Sequence, residues 1–364
     1  MNEPGATTIA TPVDPLVTPA AAAEITKKQF QLGGQALIEG VMMRSPHFVA
    51  AAVRRADGSI ATRVEPVHSV MQRHPMLGWP MVRGIVGLIE MLELGMRYLN
   101  WSGNVAMEDA GREDAMGQPG AASLEALAVA DPLSAGLEMP NHPNGSAPPA
   151  PDASIEPKSM PWWSFVLTAG LSFGMGLLLF VALPNVLAGW LLQSHTHSKI
   201  LLNLVEGIIK LAIFVSYLWL IGRRPAIQRV FEYHGAEHKV VYAAENGRPL
   251  TPEGARPFDT PHPRCGTGFA LLVVLVSMIC FVLLPWSANP LKRVLLRFAL
   301  MPLVAGISYE IIKLTTNPRW SRVAVFILTP GLWLQRLTTR QPDDEQLEVS
   351  CTAMRAVIAA EMNF

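Results

Sequence analysis

The sequence predicts a mainly α-helical polytopic membrane protein with about four transmembrane helices, a small N-terminal β-containing cytosolic part and interfacial helices. Three observations carry that expectation. Half of the 364 residues are apolar and they cluster in long blocks. Four blocks, residues 162–192, 201–221, 266–286 and 294–312, approach or reach the length needed to cross a bilayer. Between them lie long polar segments that carry the chemically suggestive residues. Lys plus Arg equals Asp plus Glu at 29 each, so no basic excess points to nucleic acid as a partner. Cys265, Cys280 and Cys351 have no framework spacing and imply no disulfide scaffold.

In chain order, residues 1–29 are rich in Ala, Pro and Thr, lack the basic-then-apolar pattern of a signal peptide, and are expected to be a disordered tail. Residues 30–101 form the N-terminal part. Gly33, Gly34, Gly40 and Pro46 suggest a tight, irregular turn across Gln31 to Pro46, with Glu39 and Arg44 as a structural ion pair. Asp57-Gly58 between Phe48–Arg55 and Ser59–Val64 predicts a β-hairpin. Gly78 to Leu99 places Arg83, Glu90, Glu93 and Arg97 on one stripe of an otherwise apolar helix, which suits a membrane interface better than a span. Residues 102–160 hold nine acids against two basic residues, with repeated Pro, Gly and Ala, and are expected to be a solvated, disordered insert.

Residues 161–222 and 266–316 then read as two transmembrane hairpins around a cytosolic loop, 223–265. On the second span Glu206 and Lys210 are four apart and placed to pair. In residues 317–364, a short apolar run broken by Pro330-Gly331 reads as a re-entrant or interfacial segment. An amphipathic helix follows over 343–362, with Leu347, Cys351, Met354 and Ile358 on one face. The loop from 222 to 264 carries seven Lys or Arg, against one in 193–199 and two in 287–293. Positive-inside bias therefore puts that loop and both termini in the cytosol, with the protein integral to the cytoplasmic (inner) membrane.

The chemistry centres on His234-Gly-Ala-Glu237-His238. Pro is absent from this stretch, so a helix is its natural conformation, and two His four apart share one face of it. The order His-x-x-Glu-His is the inverted form of a zinc-protease signature. Two neutral imidazoles at this spacing can share a divalent metal, most simply zinc, with Glu237 as base or ligand. The third donor is sought in Cys265, His262, Glu237 or Glu310. Cys265 ranks first because a thiolate is a strong zinc ligand and the residue precedes the third span. His262 ranks lower because prolines flank it. Arg264 or Arg44 is positioned in sequence to hold an anionic substrate group. Against this stands a plainer expectation, in which the same side chains form a structural hydrogen-bonded network.

Five segments also match a known pattern: Gly33 to Arg44, Tyr233 to Lys239, His262 to Thr267, Gly306 to Glu310 and Pro330 to Thr339. In that order they resemble the blocks of the bacterial domain-of-unknown-function 1385 family, whose members carry the label of predicted metal-dependent membrane enzymes. The resemblance covers about residues 30–360 apart from the acidic insert. It implies a polytopic membrane protein with His234, Glu237, His238 and Cys265 in matching motif positions, and it supplies no reaction. The expected function is a membrane-bound, metal-dependent hydrolase acting on a lipid-linked or peptide substrate. The alternative is a non-enzymatic assembly factor or small carrier, in which Glu206, Lys210, Arg297 and Glu310 serve a path through the membrane.

Overall fold

A computed structural model describes residues 32–67, 69–80, 82–117, 167, 170–171, 174–192, 194–196, 198–263, 265–284, 289–314 and 319–363. The expected tail and most of the expected insert lie outside the described residues. Two compact units are distinguished, residues 1–109 with 179–364, and residues 110–178; the elements below belong to the first except where a helix runs past its boundary.

The N-terminal part is an antiparallel meander of β1 (Gly33–Leu37), β2 (Gly40–Arg44), β3 (Phe48–Arg54) and β4 (Ile60–Pro66), in that order across the sheet. The hairpin expected at Asp57-Gly58 is present as β3–β4, with Gly58 at φ 82° where an L side chain is disfavoured. The segment expected to be an irregular turn is instead a second regular hairpin, with Gly34 opposite Met43 and only Ile38 and Glu39 in the loop. Glu39 takes a left-handed φ of 52°. It pairs with Arg229 at 2.5 Å rather than with Arg44, whose near carboxylate is Glu90 at 3.9 Å.

Alternation along the strands gives the sheet two buried faces. Val41, Met43, Ala50 and Ala52 face one layer, together with residues of α4 (Pro225–Glu245) and α8 (Asp344–Met362). Leu37, Met42, Val49, Ala51 and Val53 face the other, against Leu94, Tyr98 and Val105 of α1 (Val82–Gly117). Alanines on β3 leave room for helix backbones on both sides. The helix α8 begins with Asp343 and Gln346 capping each other's backbone N–H groups. Leu347, Cys351, Met354 and Ile358 are fully buried on it, the face expected from their spacing.

The helix α1 corrects the expected insert boundary. It continues to Gly117, and Asp109 accepts from the Ala56 N–H at 3.0 Å and from Arg55 at 3.3 Å, so residues 102–117 are structured. Its charged stripe is also committed within the fold. Arg83 meets Glu310, Arg97 meets Glu65 at 3.6 Å, and Glu90 accepts from Ser69 and the Val70 N–H.

Among the described residues, three helices are long and apolar enough to cross a membrane: Gly174–Leu192, whose final α-helical stretch Leu183–Leu192 is α2, then α3 (Lys199–Ile221), and Leu291–Leu314 within α6 (Pro290–Leu314). Helix α5 (Gly266–Val282) is equally apolar but only 17 residues long. Glu206 does not take Lys210 as its nearest cation, as its spacing suggested; Arg297 of α6 reaches its carboxylate at 2.5 Å. The segment expected to break at Pro330-Gly331 is one continuous helix, α7 (Ser321–Thr338), with Pro330 inside it. Gly331 and Gly268 bring α7 and α5 into close approach, and that packing supports the helix across the lost N–H.

Candidate metal centre

Three residues separate the end of α3 from the start of α4, with Pro225 in the first turn of α4 where a missing N–H costs nothing. It therefore enters the sheet-facing core directly from the end of an apolar helix. Positions 234, 238, 242 and 245 fall on one face, and the loop leading to α5 lies along it. His238 Nδ1 bonds the Thr260 carbonyl, the Tyr242 hydroxyl donates to the Pro261 carbonyl at 2.9 Å, and Glu245 reaches His262 Nε2 at 3.6 Å. Gly235 has a specific purpose: a methyl group there would lie 2.0 Å from the Arg340 carbonyl oxygen. That close approach seats the chain leaving α7, so that the Thr338 carbonyl reaches His234 Nδ1 at 2.8 Å.

Both carbonyls can only accept. Each Nδ1 must therefore carry the proton, which leaves Nε2 as the metal-binding nitrogen of each neutral ring. The two Nε2 atoms point toward the same place. His234 Nε2 lies 3.1 Å from Cys265 Sγ, and donor atoms of His234, His238 and Cys265 are all within 4.8 Å of one another. The three residues are buried. His238 Nε2 is buried without a hydrogen-bond partner, with Glu237 Oε2 at 3.5 Å. A desolvated imidazole nitrogen aimed at a thiol and a second imidazole fits a divalent ion whose N and S bonds run to about 2.0–2.3 Å.

Burial alone would lower the His234 and His238 rings. The Cys265 sulfur and the Glu237 carboxylate outweigh it, raising His234 to about 9 and His238 above its usual value. Burial likewise pushes the Cys265 thiol up, but the two imidazoles beside it hold it well below the ordinary thiol range. A thiolate facing imidazolium protons is the charge pattern that a bound cation would replace.

The remaining candidates fall in different places. Glu237 sits beside the cluster, with its side chain running over Gly34 of β1; a methyl group on Gly34 would lie 2.8 Å from Glu237 Cγ. His262 is one layer out, its ring 5.6 Å from that of His238, and its backbone is clamped by Gln335, which accepts from its N–H at 2.7 Å and donates to its carbonyl at 2.9 Å. Glu310 is outside the cluster, in a two-bond pair with Arg83 at 2.8 and 2.5 Å. Arg44 points to the α1 side of the sheet, opposite α4, where it contacts Met91 Sδ at 2.6 Å. Burial lowers its pKa. Arg264 lies outside the described residues. Sequence reasoning missed Gln335, Thr338 and Thr260, which act through amide or carbonyl groups. Gln335 and Thr338 do fall inside the Pro330–Thr339 block, the one signal that could have found them.

The fold and this cluster define a class: a mainly helical protein with membrane-length apolar helices, a small sheet packed between helices, and a buried His–His–Cys group where the two parts meet. The chain belongs to the family described as "Protein of unknown function (DUF1385)", whose model matches residues 79–360. It is 32% identical over 339 residues to the "Uncharacterized protein YqhQ" of Bacillus subtilis (strain 168), covering 90% of this chain and 92% of that one. No solved structure matches.

Proposed function

We propose that the protein is a membrane-bound, metal-dependent hydrolase whose site faces the cytosol. The observation that carries this is the convergence of His234, His238 and Cys265 donor atoms around one point, with a carbonyl lock on each Nδ1. His234, His238 and Cys265 would hold the ion, which is zinc on the chemistry of two imidazoles and a thiolate. Bound there, it would supply a Lewis acid and increase the acidity of water. Glu237 is the group placed to take the proton. Its carboxylate is 3.5 Å from His238 Nε2, and Gly34 leaves its stem room to pass. The substrate class that suits a site at the junction of loop and apolar helices is a lipid-linked molecule or a peptide reaching it from the cytosol or inner leaflet.

The topology that goes with this reading has four spans, with α5 as the third, and both termini and the 222–264 loop in the cytosol of the inner membrane. Its support is the basic residues of that loop. A second reading rests on the 3.1 Å His234–Cys265 contact, which satisfies both groups without an ion and suits a structural lock in an assembly factor or carrier. Elemental analysis of the detergent-purified protein separates the two. About one zinc per chain is expected, abolished by His234→Ala or His238→Ala and strongly reduced by Cys265→Ser. Glu237→Gln keeps the metal if Glu237 is the base. Folded wild-type protein free of metal after purification without chelators sinks the hydrolase reading and leaves the lock.

A further inference from the structure

Two helices carry the same outward pattern to one level of the molecule. On α3, exposed Ile208, Ala212 and Trp219 lie along one face, and the next residue on that line is exposed Arg223. On α7, exposed Phe326, Pro330 and Trp333 lie along one face and lead to exposed Arg336. Steps of three, four and seven residues keep each set on one side of its helix. The ends of the two helices meet. The Gly222 carbonyl, just past α3, accepts from the Arg340 side chain at 3.3 Å, and the Arg340 N–H donates to the Phe231 carbonyl of α4 at 2.9 Å. Arg224, the residue before α4, is also exposed. Arg223, Arg224, Arg336 and Arg340 thus gather where α3 and α7 end.

Apolar side chains, then Trp, then Arg is the order met on passing from hydrocarbon into headgroups. The Arg223 guanidinium stands 3.4 Å over the Trp219 ring, a stacking that leaves its N–H donors available to an anion. Among the described residues no carboxylate pairs with any of the four arginines. The acids of adjoining elements are committed elsewhere: Glu39 pairs with Arg229, Asp343 caps α8, and Glu232 accepts from Gln346. Clustered guanidinium groups recognise phosphate, and the exposed apolar stripes that lead to them select phosphate carried on a lipid. We propose that this arginine rim binds the phosphate groups of anionic phospholipids, with Trp219 and Trp333 setting its depth at the headgroup layer.

The test uses the full-length protein in nanodiscs of phosphatidylcholine alone, of phosphatidylcholine with phosphatidylglycerol, and of phosphatidylcholine with millimolar inorganic phosphate. Phosphatidylglycerol is expected to raise Tm by several degrees over phosphatidylcholine alone, and inorganic phosphate is not. Because the rim is exposed, raised salt should shrink the rise. A variant with Arg223→Gln, Arg224→Gln and Arg336→Gln should lose most of it, with Arg340 kept for its bond to Gly222. Native mass spectrometry should find phosphatidylglycerol retained on wild-type protein after detergent washing, so the outcome does not depend on the variant folding. A rise produced equally by inorganic phosphate overturns the lipid assignment in favour of a soluble anion. A rise that the triple variant keeps, or none in wild type with no lipid retained, overturns the site.

Discussion

At the residue scale, two glycines show how narrowly the centre is built. A methyl group on Gly34 would sit 2.5 Å from the Met42 carbonyl oxygen and 2.8 Å from Glu237 Cγ, whereas one on Gly33 meets nothing within 4 Å. Gly34→Ala should therefore cost about 1–3 kcal/mol through forced displacement of β2 or Glu237. Gly33→Ala should be close to neutral, and thermal or denaturant melts of the two variants side by side check the difference. Equal melting points would mean that β1 yields freely and that Glu237 is not held by it. The sequence made the metal candidates legible because i and i+4 spacing puts His234 and His238 on one face of any helix. It ranked Cys265 ahead of Glu310 on ligand chemistry, not on position. Both were placed near the end of an apolar block, and only the fold shows that Glu310 is taken by Arg83 from a segment 227 residues away. Nor could spacing reveal carbonyl locks, since Thr260 and Thr338 contribute a backbone group that every residue possesses.

At the element scale, the amphipathic pattern of α8 was legible to the turn, because apolar residues at helical spacing leave one face to bury. The β1–β2 hairpin was not. Its loop carries Ile38-Glu39 rather than Asn-Gly, and the left-handed Glu39 is held by tertiary contacts, Arg229 at 2.5 Å and the Tyr233 hydroxyl at 3.4 Å. The end of α8 is tied to the turn between β2 and β3 through Glu361, which accepts from the Ser45 hydroxyl at 2.6 Å and the His47 N–H at 3.2 Å. Burial pushes the Glu361 carboxyl up, but these bonds outweigh it and hold its pKa below the usual carboxylate value. A lowered folded-state pKa gives stability that is present above the unfolded pKa, about 4.3, and is lost as pH falls through the folded value. Glu361→Gln should thus destabilise the protein at neutral pH and flatten the acid limb of its stability curve, read by melts from pH 7 to 3. An unchanged acid limb would show that Glu361 does not contribute there. The length of α1 leads to a different experiment. Deleting residues 105–155 removes buried Val105 and the Asp109 contacts to Ala56 and Arg55, and should destabilise the fold. Deleting 120–155, whose composition offers little to a core, should leave the melting point nearly unchanged. Comparable losses in both would place a stabilising contact inside 120–155.

At the scale of the whole molecule, the composition announced apolar helices and a polar head, but the number of crossings turns on one element. Helix α5 has 17 residues, about 26 Å at 1.5 Å per residue, against a hydrocarbon core of about 30 Å. Leu283 and Leu284 extend the apolar run, and the Leu284 carbonyl accepts from Asn203 at 3.2 Å, near the start of α3. That contact sets the end of α5 level with the beginning of α3, while Cys265 at its other end meets α4, just beyond the end of α3. The two helices therefore run antiparallel over a similar height, which favours α5 as a full crossing. With four crossings, reporters fused after residues 195 and 289 should read external, and those after 250 and 340 cytosolic. An internal reading at 289 with an external one at 195 would make α5 a re-entrant element. The His–His–Cys group would keep its place beside α4 in either case.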